Sequence, residues 1–282
     1  MTPAIDIGPS AAPSPPITLY TYAMSPYAWK VHASLLYKGL SFECFYVNPL
    51  KRLTHLPVGR QVPVLKIGDE SRADSTPICL WLDQLYPDQA LLVPTDPLKR
   101  KRILEIDDWI SNRLIPATFR TIPGEGLNVD RVLNGWRLSH IMNKTAHGGM
   151  PWLVRALWPL ILSQLSFLRH AVATTDRHLS LPQANDVLYS ELIDHLGDGP
   201  FLGESETPTL ADLAAFPQLV MPARAGMRST GAFTKFPRLL AWTERVESQL
   251  TPSPPILPTV VTAPRAKSQS VLDQTRTRAA RG

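Results

Sequence analysis

Three dipeptides, Ser25-Pro26, Val62-Pro63 and Asp74-Ser75, fall at the boundaries of short apolar runs and confine residues 17–87 to one order of elements. Ile17–Tyr22 (ITLYTY) mixes β-branched, aromatic and apolar residues and reads as a buried strand. Ser25-Pro26 then has the form of a helix start: serine caps well, and proline at the first helical position gives up no needed N–H. Ala28, Val31, Leu35 and Leu36 make one apolar face, and Lys38-Gly39 supplies a last-turn cation and a glycine beyond the helix end. Ser41–Val47 and Val62–Ile67 read as a second and third strand. Gly68-Asp69-Glu70 turns the chain into a short fourth, Ser71–Ala73. A helix from Ser75 to Tyr86 stops at Pro87. The order is strand–helix–strand, then strand–strand–helix, which predicts a mixed sheet with helices against it.

Beyond a linker at residues 88–97 the pattern becomes helical throughout. Leu98–Leu114 is expected to end before Pro116; Arg131–Asn143 and Trp152–His178, the latter interrupted at Pro159, are further helical stretches, and Gln183–Leu196 closes on Gly197. Phe201–Phe216 (FLGESETPTLADLAAF) carries the most specific local signal. Thr209 and Asp212, three residues apart ahead of an apolar run, form a capping box with Asp in the usual Glu position.

The formal net charge is +5, which raises nucleic-acid binding until the charge is located. Residues 251–282 hold Arg265, Lys267, Arg276, Arg278 and Arg281 against Asp273, and residues 1–16 hold only Asp6, which leaves about +2 for residues 17–250. That is too little for a face that tracks phosphates. Five of the 28 prolines lie in each end segment, so residues 1–16 and 251–282 are expected as poorly ordered arms, the second basic. The N-terminus lacks the basic and apolar regions of a signal peptide. Two cysteines, Cys44 and Cys79, with no CxxC and no metal spacing suit a reducing, cytoplasmic setting. HExxH, G-x-S-x-G, Walker and G-x-G-x-x-G patterns are absent, which removes those classes. Met150–Leu168 is strongly apolar, but Arg155, Pro159 and its polar residues argue against a membrane span, and membrane contact is not expected. It is expected instead as a buried helix whose Trp152 and Trp158 help line a pocket.

With Ser25-Pro26, Val62-Pro63, Asp74-Ser75 and the Thr209–Asp212 cap in this order, the chain resembles the cytosolic glutathione transferases over roughly residues 17–250, as a divergent serine-type member. The resemblance implies a thioredoxin-like α/β N-terminal domain (17–87), an all-helical C-terminal domain (98–250), a glutathione site on the first and an apolar pocket between them. It also implies a homodimer and no metal.

Glutathione's thiol, with a pKa near ~8.5, is mostly protonated at neutral pH, and lowering that by about two units requires roughly 2.7 kcal/mol of preferential thiolate stabilisation. A hydroxyl at a helix N-terminus supplies it, because the O–H points at sulfur while the dipole and unpaired N–H groups favour the negative charge. By resemblance Ser25 is that donor; the plain alternative is a helix cap. Tyr20 and Tyr22 are rival hydroxyl donors, but a tyrosine on the first strand is more often core. Val62-Pro63, read as a cis pair, would leave backbone groups to pair with a peptide ligand, and Asp74 with Ser75 would bind the γ-glutamyl end at a second helix N-terminus. Lys51, Arg52, His55 and Arg60 are open candidates for the glycyl carboxylate. The implied activity is attack of the activated thiolate on a hydrophobic electrophile, as in detoxifying transferases. The alternatives are a glutathione-dependent lyase or isomerase on the same site, and a non-catalytic binding or scaffold protein resembling the metaxin-like branches.

Overall fold

In the computed structural model, which describes residues 15–120, 129–228, 230–251 and 253–261, the first strand, β1 (Ile17–Thr21), buries every second side chain. A bond from Ser25 N to Tyr22 O (3.1 Å) turns the chain into α1 (Pro26–Tyr37). That helix ends in a Schellman closure: Leu40 N donates to Leu35 O, Gly39 N donates to Leu36 O, and Gly39 sits at φ +67°. Lys38 does not serve the helix end as its position suggests. It is buried, with Nζ on Asp83 Oδ1 (2.9 Å) and Ala90 O (3.0 Å). β2 (Glu43–Tyr46) pairs parallel with β1. A 3₁₀ turn at Pro49–Lys51, capped by Asn48, and the single-turn α2 (Arg52–His55) lead into the loop before β3 (Val64–Ile67). β3 runs antiparallel to β1 and to β4 (Glu70–Ala73), and α3 (Ser75–Leu85) follows, giving the sheet order β2-β1-β3-β4. Leu19, Val31, Leu35, Leu65, Ile78 and Leu82 are completely buried, so the sheet and its two helices share one core.

The helical part opens with α4 (Pro97–Trp109), whose cap Asp96 accepts from Leu98 N and Lys99 N. The helix does not stop before Pro116. It passes through one wide, π-type turn (Ile110–Leu114) and continues as α5 (Ile115–Arg120). Proline cannot donate to the helix ladder, and widening the preceding turn accommodates that loss without ending the helix. α6 (Val129–Thr145) follows, and then the apolar 150–168 stretch, which is not one helix. It breaks into α7 (Trp152–Ala156), α8 (Trp158–Gln164) and the first turn of α9 (Ser166–Ala173). α10 (Leu181–Leu196), α11 (Leu210–Arg224) and α12 (Pro237–Ser248) complete the set.

α11 is the central element, with every residue from Leu210 to Met221 buried. Its Thr209–Asp212 box is closed by Thr209 N and Oγ1 donating to Asp212 Oδ2 (2.8 and 2.9 Å). The other carboxylate oxygen accepts from Leu202 N (2.9 Å) and Trp242 Nε1 (2.8 Å), tying α12 and the preceding loop to the same residue. The two parts of the molecule meet where α1 packs against α4 and α11. Gln218 Nε2 donates to Pro26 O (3.2 Å), and Lys30 Nζ lies 2.6 and 2.7 Å from the two oxygens of Asp107, both residues buried.

Residues 1–14 and 262–282, the bulk of the two expected arms, lie outside the described residues. The chain from Ser253 to Val261 packs back on the fold, with Ile256 and Leu257 buried. His32 Nε2 lies 2.8 Å from Pro254 O; a carbonyl only accepts, so this nitrogen carries the hydrogen. Among the described residues no helix is long and apolar enough to cross a membrane.

Candidate active site

A cleft of about 720 Å³ opens between the sheet and the helical part. Arg60, Gln61, Val62, Pro63, Ala73 and Asp74 line one side. Ser111, Asn112, Pro116, Phe119, His170, Ala171 and Thr174 line the other, and Tyr27 stands between them. The sheet side is made by chain ends: Val62 precedes β3 by two residues, and Asp74 joins β4 to α3. The Val62–Pro63 peptide is cis, and no backbone hydrogen bond joins Val62 to another described residue. Asp74 is exposed at φ +74°, ψ 134°, outside the regions ordinary side chains prefer, and its carboxylate does not cap α3.

The other expected residues are close by but are not part of this lining. Ser25 is buried, capping α1 with Oγ 3.4 Å from Ala28 N. Ser75 is buried at the start of α3. The cleft-lining Tyr27 is the second residue of α1, so the N-terminus of that helix is at the cleft. Of the four candidate cations, Arg60 lines the cleft; Lys51, Arg52 and His55 do not. His55 is taken up in packing, edge-on to Phe45 at 5.5 Å with Nδ1 accepting from Asn48 N. Tyr20 and Tyr22 pack against Val47, Leu56 and Val64. Trp158 is buried and Trp152 is exposed, and neither lines the cleft as expected; breaking the segment into short helices rotates one indole in and the other out.

The helical wall owes its geometry to the wide turn. There Ile115 N donates to Ile110 O instead of Ser111 O, and the next donor in π spacing would be Pro116, which has no N–H. The Ser111 carbonyl is left without a helical donor and accepts from Tyr27 Oη at 3.0 Å. Burial, and then the nearby Asp74 carboxylate, raise the Tyr27 hydroxyl above its ordinary value, so it stays a donor at neutral pH. Tyr27, Ser111, Asn112, Phe119 and His170 were not singled out from sequence. The available signals were a proline inside a helical run and the tyrosine of Ser25-Pro26-Tyr27.

Burial pushes both thiols, Cys44 and Cys79, up to about 12, so neither is a thiolate near neutrality. Among the described residues no group of His, Cys, Asp and Glu could hold a metal ion.

The comparisons with known proteins agree with this layout. The pattern described as "Glutathione S-transferase, N-terminal domain" matches residues 19–90, and "Glutathione S-transferase, C-terminal domain" matches residues 188–245. The chain is 33% identical over 143 residues to Glutathione S-transferase 1 of Dianthus caryophyllus, covering 47% of this chain and 63% of that protein. It is 32% identical over 106 residues to maleylacetoacetate isomerase of Rattus norvegicus, covering 35% and 49%. The chain thus spans about half of the length of the curated relatives it matches. Among solved structures, the beta-etherase LigF from Sphingobium sp. superposes with a TM-score of 0.53 at 21% identity, covering 86% of this chain and 96% of that one. Both domain patterns thus fall in order on a four-stranded mixed sheet and a helical second half, and residues 19–90 and 188–245 match the N- and C-terminal domains of the glutathione S-transferases.

Proposed function

We propose that this protein is a glutathione-dependent transferase that activates the glutathione thiolate toward a hydrophobic electrophile. The observation that carries the reading is the cleft: Arg60, Val62, Pro63 and Asp74 on one side face Phe119, His170 and Ala171 on the other. A γ-glutamyl-cysteinyl-glycine peptide matches the first side. The Val62 backbone, unpaired among the described residues, can add the cysteinyl segment as a short strand, Asp74 offers a carboxylate to the γ-glutamyl ammonium, and Arg60 offers a cation to the glycyl carboxylate. The α-carboxylate would sit at Ser75, on the N-terminus of α3.

Ser25 is the thiolate donor in this reading. Its Oγ accepts weakly from Ala28 N, so the hydroxyl hydrogen is not spent on the cap, and α1 adds its dipole at the same end. The thiolate attacks carbon, the leaving group departs with the bonding pair, and the second substrate is held against Phe119, Pro116 and Ala171. Isomerisation and ether cleavage, the chemistries named for the rat and Sphingobium relatives, begin from the same thiolate and are variants of this proposal. A cytoplasmic homodimer with domains at 17–87 and 98–250 goes with it.

Ultraviolet difference absorbance of bound glutathione across a pH series tests the reading. A thiolate band appearing well below pH ~8.5 in the native chain, and shifted up by about two units in Ser25→Ala with glutathione affinity retained, supports it. Bound glutathione with no thiolate band would place the chain with the scaffold alternative.

A further inference from the structure

The outward side of α6–α8 departs from what a soluble surface normally shows. Trp152 (75%), Leu160 (63%), Leu153 (53%), Trp136 (51%) and Leu157 (44%) are all exposed, while Trp158 and Leu162 are buried. Residues 152, 153, 156, 157 and 160 recur at helical spacing, so α7 and the start of α8 turn an apolar face outward. Trp136 Nε1 donates to Ala156 O (3.2 Å), which makes α6 part of the same surface. Along α6 the exposed stripe continues from Trp136 through His140 and Lys144.

The charge on this region is equally one-sided. Residues 131–175 contain no Asp or Glu, although the chain has 24, and they hold Arg131, Arg137, Lys144, Arg155 and Arg169. Desolvation, and then the nearby Arg137, Lys144 and Arg155, oppose the protonation of His140. The two domain patterns of the superfamily stop at residue 90 and resume at 188, so this surface lies between them.

We propose that this face docks on an anionic lipid surface, with Trp152, Leu153, Leu157 and Leu160 entering the interfacial layer and Lys144 and His140 on the headgroup phosphates. Indole and leucine side chains rimmed by cations and free of acids are what an in-plane helix needs at an anionic bilayer. A second copy fits less well, because an isologous interface sets an acid-free basic face against itself. The proposal is independent of the glutathione cleft, which none of these residues lines.

The test is co-sedimentation of the full chain with phosphatidylcholine vesicles, with and without phosphatidylserine, at low and high salt. Binding is expected to phosphatidylserine vesicles and to weaken with salt. It should fall at least about tenfold in Trp152→Ser/Leu160→Ser and about tenfold in Lys144→Glu. These substitutions fall on exposed side chains, and an unchanged circular-dichroism thermal melt verifies that the variants fold. Absence of binding at low salt overturns the proposal, as does equal binding to both vesicle types. Undiminished binding of the variants would also overturn it and move the contact to the basic segment beyond Val261. A dimer in light scattering that Trp152→Ser/Leu160→Ser dissociates would overturn it in favour of a second copy.

Discussion

Asp74 is held at φ +74° by the turn between β4 and α3, and its carboxylate goes to no cap. A side chain kept at a conformation of this kind costs on the order of 1–3 kcal/mol. Asp74→Gly separates the two effects: thermal unfolding should show a stability equal to or above the parent, while glutathione affinity, measured by calorimetry, drops at least about tenfold with the lost charge-assisted contact. Parallel losses in both would mean that Asp74 is structural. Lys30 and Asp107 are a different case. Both are buried, and Thr76 Oγ1 joins them, accepting from Lys30 Nζ (2.6 Å) and donating to Asp107 Oδ2 (2.8 Å). Lys30→Met should cost about 3–5 kcal/mol in denaturant unfolding by stranding a carboxylate, and Lys30→Met/Asp107→Leu should recover most of it. At this scale sequence is a partial guide. Four cations lay between the second and third strands, and nothing local distinguishes Arg60, at the cleft, from His55, which packs on Phe45.

Among elements, the ones legible in sequence are those whose signals are local. The alternation in Ile17–Thr21, the Ser25-Pro26 start and the Thr209–Asp212 box all depend on neighbours within four residues, and β1, α1 and α11 follow them. From sequence the helix before Pro116 ends early, and the structure continues it, because a single proline does not say whether a turn will widen or stop. The 150–168 stretch was read as buried throughout. Periodicity gives a helix an apolar face without saying whether the core lies against it, and Trp152 and Trp158 lie on opposite sides of that question. These short helices approach α6 closely at Gly135, where a Cβ would come within 2.9 Å of Pro159 Cα. Gly135→Ala should therefore lower stability by about 1–3 kcal/mol in a thermal or denaturant melt, despite alanine's better helix propensity. A stabilised variant would mean that α8 yields freely.

Over the whole molecule, the segment from Ser253 to Val261 ties the C-terminal end of the described chain to α1 through the His32–Pro254 bond. Burial lowers the His32 pKa to about 4. The unfolded chain binds this proton between about pH 6.5 and 4 and the folded chain does not, so the contribution of His32 to stability is complete above pH 6.5 and is lost as pH falls toward 4. Asp212, raised by burial to about 6, acts in the opposite sense: its contribution is present below pH 3.8 and lost as pH rises through 6. The two partly cancel in a plain pH–stability curve. A comparison with His32→Gln isolates the first, since the amide can still donate to Pro254 O but does not titrate. The parent should lose up to about 3 kcal/mol relative to the variant between pH 6.5 and 4, and parallel curves would refute the assignment.

The wide turn at Ile110–Leu114 leaves Ser111 O to a phenol from the other half of the molecule, because residue 116 has nothing to donate. This one contact between the two cleft walls therefore traces to a single absent hydrogen atom. Any residue at position 116 other than proline would return a donor to the helix and loosen Tyr27's claim on that oxygen. Divergence at this one position would re-aim the helical wall of the cleft while leaving the sheet wall as it is.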